Sequence, residues 1–310
     1  MSKIVISEFM DMSVAKSHWQ GFGVVGAPAL GDRPGDLVAA IGDASALVVR
    51  NRTQVTSALL DAAPNLKCIG RLGVGLDNID QDACAAREVT VYPATGANNL
   101  SVAEYVLTSA MMLLRNAYLS NTDMLVGKWP RQQCSGGELA GSTLGLVGFG
   151  GIAQLTAKIA DGLGVKIVAY DPFLPPDHAA WKGATQSDLP TLYAPSDIIS
   201  LHTPLTEQTR HLIDADALKA MKETAVLINA ARGGVIEEAA LVDALQAGQI
   251  AGAALDVFED EPLTAASAAK FKDLKNLILT PHIAGVTTQS NSRVSAMIAQ
   301  KVAAHLTAAS

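Results

Sequence analysis

A chain of 310 residues is longer than one hydrophobic core ordinarily organises, so two packed units are expected. With 49% hydrophobic and 17% charged residues the composition excludes an intrinsically disordered chain, and 30 Asp+Glu against 23 Lys+Arg, a formal net charge of -7, offers no basic field for nucleic acid. Cys68, Cys84 and Cys134 have neither metal-ligand nor C-x-x-C spacing, no secretory leader opens the chain and no apolar run reaches the ~20 residues of a membrane span, so no metal is expected and the protein is read as cytoplasmic.

In chain order, short β-branched runs at Ile4–Ile6, Leu47–Val49, Cys68–Gly70 and Thr90–Tyr92 alternate with helical stretches and predict one α/β unit. Ser101–Arg115 then reads as a long helix, with Ser101 and Glu104 as a capping box and Val102, Val106, Leu107, Ala110, Leu113 and Leu114 as its apolar face. Its position suggests a bridge between units. A second series follows at Leu144–Val147, Ile167–Tyr170, Ile198–Leu201, Val226–Asn229, Ala253–Val257 and Leu277–Leu279. Each run is almost continuously apolar, as strands covered on both faces are, which predicts a doubly wound parallel sheet. After Gly285 a Ser/Asn/Thr-rich stretch leads to a helix over Val294–Leu306, too short for a domain and expected to pack back on the first unit. The expected organisation is a substrate domain from residues 1–98 and 286–310 with a nucleotide domain, 99–285, inserted into it.

The run T-L-G-L-V leads directly into G-F-G-G-I-A, the strand-turn-helix setting of a dinucleotide fingerprint. Gly148 permits the tight turn, Gly150 lets backbone approach a pyrophosphate, and the N–H groups of Gly151 and Ile152 are the expected phosphate donors. The same glycines could simply pack a strand on a helix. Asp171 favours the cofactor reading, because it ends the next strand at about the ~20-residue distance of the carboxylate that binds ribose hydroxyls. No Arg or Lys follows it to hold a 2′-phosphate, so NAD is expected over NADP.

Three later strand ends each deliver a polar residue: Arg232 in N-A-A-R-G-G, Glu261 in V-F-E-D-E-P and His282 in T-P-H-I-A-G. Carboxyl ends of parallel strands line the ligand crevice, and these three make a chemically complete set for a 2-keto acid. The Arg fork holds a carboxylate and polarises the adjacent carbonyl. His282 exchanges the proton near neutral pH, and Glu261 fixes the ring and favours its charged form. His202 is a rival acid/base without an acid in matching context.

These segments, with R-L-G-V-G-L-D-N-I-D and T-G-A-N-N-L-S-V-A-E, resemble the D-2-hydroxyacid dehydrogenase family over almost the whole chain. The resemblance implies two Rossmann-like domains, a cleft that closes on a 2-hydroxy or 2-keto acid, hydride transfer with NAD, and a homodimer. It carries the Arg232, Glu261 and His282 roles over, and implies that Thr203, Pro204, Ala230, Arg232, Asp256, His282 and Gly285 line the cofactor. A non-catalytic NAD-sensing corepressor of the same fold is the alternative. Formate dehydrogenases also share the fold, but there the His is partnered by Gln.

The loop Leu72–Gly75 resembles the family's substrate loop, which implies that backbone N–H groups of Gly73 and Val74 bind the substrate carboxylate, and its glycines suit a close approach to an anion. Arg50, Asn51, Arg52, Arg71 and Arg131 suggest a second anion on the substrate, the plainer alternative being that these arginines pair with surface acids. Positions matching Arg50 and Arg131 are associated with the phosphate end in phosphoglycerate dehydrogenases. The wording V-R-N-R-T-Q-V resembles sulfolactate dehydrogenases of the family more than phosphoglycerate ones. No serine-sensing extension of the kind found in many phosphoglycerate dehydrogenases is expected.

Overall fold

The computed structural model describes residues 2–116 and 120–308. The chain divides into two compact units, one running to Asn98 and resuming at Val286, the other Asn99–Gly285. The first holds a five-stranded sheet of β1 (Lys3–Ile6), β2 (Gly23–Gly26), β3 (Ala46–Val49), β4 (Cys68–Arg71) and β5 (Thr90–Pro93), in the order β2-β1-β3-β4-β5. Every pairing is parallel. Alternate residues of β1, β3 and β4 supply two cores. Ile4, Ile6, Ala46, Val48 and Cys68 pack with Val294, Ile298, Val302 and Leu306, while Val5, Leu47, Val49 and Ile69 pack with Leu37, Ile41, Leu59 and Leu60.

β2 has no counterpart among the predicted strands. It is an edge strand, Val24 and Val25 are exposed, and its flanking glycines hide the β-branched signal. The C-terminal helix runs over Thr288–Ala308, six residues earlier than Val294. Thr287 and Ser290 cap it reciprocally: the Thr287 N–H donates to Ser290 Oγ at 2.8 Å and the Ser290 N–H to Thr287 Oγ1 at 3.0 Å, so polar residues that read as a linker start a helix. Its packing needs Gly70, where a Cβ would lie 2.4 Å from Ile298 Cγ2.

The second unit holds seven parallel strands: β6 (Thr143–Val147), β7 (Lys166–Tyr170), β8 (Thr185–Gln186), β9 (Ile198–Leu201), β10 (Val226–Asn229), β11 (Gly252–Leu255) and β12 (Leu277–Leu279). Their order is β12-β11-β10-β9-β6-β7-β8. Six of these were expected; β8, with two residues, is too short to give a periodic signal. The long helix spans Asn99–Arg115, and one expectation about it is corrected. Ser101 lies buried inside the first turn rather than at the cap. Val102, Val106, Leu107, Ala110 and Leu113 pack with Leu144, Leu146, Ala153, Ala157 and Ala160 of the helix's own unit.

In each sheet the strand order reverses beside the first strand of its unit, between β1 and β3 and between β6 and β9. At such switch points the flanking loops part and leave a crevice at the carboxyl ends. Among the described residues, no helix is long and apolar enough to cross a membrane.

Candidate active site

In the second unit, β6 runs into Gly148, with φ of 88°, a left-handed turn that a side chain would strain. A Cβ there would also lie 2.8 Å from the His202 carbonyl oxygen. The turn is stitched to both neighbouring strand ends: the Gly148 N–H donates to Tyr170 O and the His202 N–H to Val147 O, each at 2.7 Å. The helix Gly151–Asp161 follows with Gly150 as an N-cap that brings no side-chain hydrogen bond. A Cβ on Gly150 would meet nothing within 4 Å. The first N–H groups of this helix, those of Gly151 and Ile152 among them, thus receive no capping side chain at its partly positive end.

Asp171 lies where the fingerprint predicts, just past β7. It also braces the turns around it, since Oδ2 accepts the Phe149 N–H and Oδ1 the Phe173 N–H, both at 2.9 Å. Both readings of Asp171 thus have a basis, because each oxygen has a further lone pair. A depression of about 490 Å³ beside it is lined by Tyr170, Asp171, Pro172, Leu174, Pro176, Gln186, Ser187 and Asp188. At the end of β9, Thr203 Oγ1 is buried and has no hydrogen-bond partner, while Pro204 is exposed.

The loops after β10, β11 and β12 carry the three polar residues. Asn229 holds the first: its Nδ2 donates to Arg232 O at 2.9 Å and its Oδ1 accepts the Ala231 N–H at 3.0 Å. Gly233 lets this loop meet the next, because a Cβ would fall 1.7 Å from Phe258 O. Arg232 Nη1 donates to Ala231 O at 2.6 Å; Ala230 is half-buried beside it. Glu261 accepts the Phe258 N–H on Oε1 at 3.0 Å, and its Oε2 lies 2.8 Å from His282 Nδ1. Burial pushes the Glu261 carboxyl up, but the hydrogen bond and charge of His282, the Phe258 N–H and the Arg232 charge outweigh it and leave it below its ordinary value.

His282 itself has φ of 56°, an uncommon conformation for a residue with a Cβ, of the kind that persists where surroundings enforce it. Asp256 enforces it. The Asp256 carbonyl accepts the His282 N–H at 2.8 Å. Its buried carboxylate accepts Thr280 Oγ1–H at 2.6 Å and the Ile283 and Ala284 N–H groups at 2.8 Å each. Because Thr280 donates to Asp256, the Tyr105 hydroxyl, 2.6 Å from Thr280 Oγ1, must donate to Thr280. Burial holds the Asp256 carboxyl above its ordinary value against these donors and the charge of His282. Thr280 and Tyr105 escaped the sequence reading because each acts through a partner distant in the chain, and Asn229, whose partners Arg232 and Ala231 are local, read only as the last residue of a strand. Among the described residues the rival His202 meets no carboxylate: its Nε2 lies 3.0 Å from Ser200 Oγ, and burial pushes the ring down to about 4, so it is neutral at pH 7.

In the first unit, the 50–53 loop after β3 wraps the carboxylate of Glu8, which is 1% exposed. Glu8 accepts the N–H groups of Arg50, Thr53 and Arg52 at 2.8, 3.0 and 3.2 Å. Burial pushes its carboxyl up, but these donors pull it below its ordinary value. The two arginines diverge. Arg52 pairs with Glu8 and Asp32 and donates to Pro28 O, so the plainer reading holds for it and it drops out of the expected anion set. Arg50 Nη2 donates to Asn291 Oδ1 at 2.8 Å. Asn51 is exposed. The Gly73 N–H is also corrected: it donates to Arg71 O at 2.8 Å and is not free for a ligand. Gly73 is needed for another reason, since a Cβ there would fall 1.5 Å from Arg71 Nη1. Val74 is half-buried; Arg131, in the second unit, is exposed.

Residues 107–284 match the family model described as D-isomer specific 2-hydroxyacid dehydrogenase, NAD binding domain. The chain is 51% identical over 296 residues to (S)-sulfolactate dehydrogenase of Chromohalobacter salexigens, covering 95% of each. The chain belongs to the D-isomer specific 2-hydroxyacid dehydrogenase family. It is also 39% identical over 267 residues to D-3-phosphoglycerate dehydrogenase of Synechocystis, covering 86% of this chain and 48% of that protein, about half its length. Among solved structures, the TT0316 protein of Thermus thermophilus superposes with a TM-score of 0.89 at 28% identity, covering 99% of this chain and 97% of that one.

As a member of this family the protein is an NAD-dependent 2-hydroxyacid dehydrogenase with a small acid as substrate. The dehydrogenase's own residues fit NAD. The uncapped helix at Gly151, the clear space at Gly150 and the unpartnered hydroxyl of Thr203 are features a dinucleotide would complete.

Proposed function

We propose that this dehydrogenase interconverts a 2-hydroxy and a 2-keto acid bearing a second anionic group, of the sulfolactate type. The observation that carries the reading is the 51% identity with a sulfolactate dehydrogenase over nearly all of both chains. Arg50 supports it, as a half-buried guanidinium whose hydrogen-bond partner is uncharged. The test compares kcat/KM for 3-sulfopyruvate, 3-phosphohydroxypyruvate and hydroxypyruvate with NADH. Preference for 3-sulfopyruvate is expected, and equal use of hydroxypyruvate refutes the second anion.

NADH, when bound, supplies the hydride for C2. His282 donates the proton to the carbonyl oxygen through Nε2, since Nδ1 is engaged by Glu261, and takes it back in the oxidative direction. Glu261 holds the ring in that orientation and stabilises its charged form. Arg232 binds the substrate carboxylate and polarises the ketone. Asp256 fixes the 280–284 loop beneath His282. Gly148, Gly150, Gly151, Ile152, Asp171, Thr203, Pro204, Ala230 and Gly285 belong to the cofactor site; the first unit is the substrate domain, with Val74, Arg71 and Arg50 as its substrate-binding residues.

The proposed assembly is a homodimer. Leu125, Val126 and Trp129 are 80%, 68% and 77% exposed within five residues of one another, an apolar surface that a lone subunit would leave wet. Sedimentation should give a dimer that Leu125→Asp dissociates; a monomer at all concentrations refutes this.

A further inference from the structure

Arg50 and Arg52 follow β3 with Asn51 between them, and their guanidinium groups meet different partners. Arg52 is met by the carboxylates of Glu8 and Asp32. The guanidinium of Arg50 is held instead by the Asn291 side-chain oxygen, at 2.8 Å. An amide oxygen orients a guanidinium as a carboxylate does but leaves it positive. It also engages Nη2 alone, and a sulfonate or phosphate needs two of the remaining donors for a forked contact.

The surroundings hold this arrangement firmly. Glu8 accepts three backbone N–H groups of the Arg50 loop, and Asn78 Nδ2 donates to Arg50 O at 3.1 Å and Thr53 O at 2.7 Å. The loop leaves β3 beside β1, at the switch point of the five-stranded sheet, where an open α/β sheet offers its crevice. Asn291 lies in the first turn of the helix Thr288–Ala308, whose positive end adds to the potential felt by an anion there. Burial lowers the Arg50 pKa against the charge of Glu8, the mark of a partly desolvated cation, for which an incoming anion is a strong partner.

We propose that Asn291 is a specificity-determining residue: by holding Arg50 through an uncharged oxygen, it keeps that guanidinium's charge for the second anionic group of the substrate. This rests on the two-anion reading of the substrate. An acid at the same position would hold Arg50 equally well and neutralise it.

The experiment measures kcat and KM for 3-sulfopyruvate and hydroxypyruvate in the wild type, Asn291→Asp and Asn291→Ala. The ratio of the two kcat/KM values should fall roughly 30-fold in Asn291→Asp, as loss of a hydrogen-bonded charge contact implies, and through the KM for 3-sulfopyruvate. Asn291→Ala, which loosens Arg50 without neutralising it, should lower the ratio by about 3-fold. A partly unfolded preparation cannot imitate this, because the inactive fraction cancels in the ratio. An unchanged ratio in Asn291→Asp, or equal weakening of both substrates, overturns the role of Asn291 while a wild-type preference for 3-sulfopyruvate leaves the two-anion reading standing. A wild type with no such preference removes both.

Discussion

Replacing Glu261 by Gln removes one charge and one acceptor from the candidate active site with almost no change in shape. Glu261 serves two donors, the Phe258 N–H at 3.0 Å and His282 Nδ1 at 2.8 Å. A Gln side chain has a single acceptor oxygen, so one of the two bonds must fail. A hydrogen bond to a charged group contributes roughly 1.5–3 kcal/mol. With 43% of His282 and 33% of Glu261 exposed, solvent screens the pair toward the lower bound. A loss of about 1.5 kcal/mol corresponds to roughly tenfold in kcat. The assay is NADH oxidation with a saturating 2-keto acid across pH, with NADH affinity measured separately by fluorescence. In the wild type the Glu261 carboxyl lies below its ordinary value, so the pair survives as pH falls through about 4.3 and is lost only lower. An unchanged kcat and pH profile in Glu261→Gln, or a loss confined to NADH affinity, would refute this account of the pair.

Gly148→Ala forces a Cβ to within 2.8 Å of the His202 carbonyl at φ of 88°; NADH affinity should fall at least tenfold and stability by about 2 kcal/mol, and normal titration calorimetry and unfolding would contradict it. Glu8→Gln leaves donors around a buried site with one acceptor fewer, and should cost about 3 kcal/mol at pH 7. Because the folded Glu8 carboxyl lies below its unfolded value, its stabilisation is complete above about 4.3 and is lost as pH falls through the folded value. Denaturant unfolding should therefore show the wild-type advantage shrinking at acid pH, and a constant advantage would sink the assignment. Arg50→Ala should raise the KM for 3-sulfopyruvate roughly 30-fold, whereas Arg52→Ala, its partners being Glu8 and Asp32, should change it less than about 3-fold; the reverse ranking in steady-state kinetics would show the two arginines misassigned.

The parts of this molecule written in local sequence were legible. Strands covered on both faces are continuous apolar runs, so β6, β9 and β10 are readable within a residue, and the turn at Gly148 announces itself because only glycine suits it. Edge strands carry no such signal: β2 is flanked by glycines and faces solvent on Val24 and Val25. Arg232, Glu261 and His282 could be named from strand ends, but their supports could not. Glu8 reaches the 50–53 loop from 42 residues away, and Asn291 meets Arg50 across 241. That Arg52 and not Arg50 would meet the acids could not be read locally, since Glu8 and Asp32 lie 44 and 20 residues from Arg52 and a long-range partner leaves no mark on the residues around it.

The most direct test is His282→Ala, followed by single-turnover reduction of a 2-keto acid and by NADH titration on the same preparation. If His282 delivers the proton, hydride transfer slows by roughly 100-fold to 10,000-fold while NADH affinity stays within a few-fold. A rate near that of the wild type would mean the proton comes from elsewhere, and the reading of the β12 loop would be wrong.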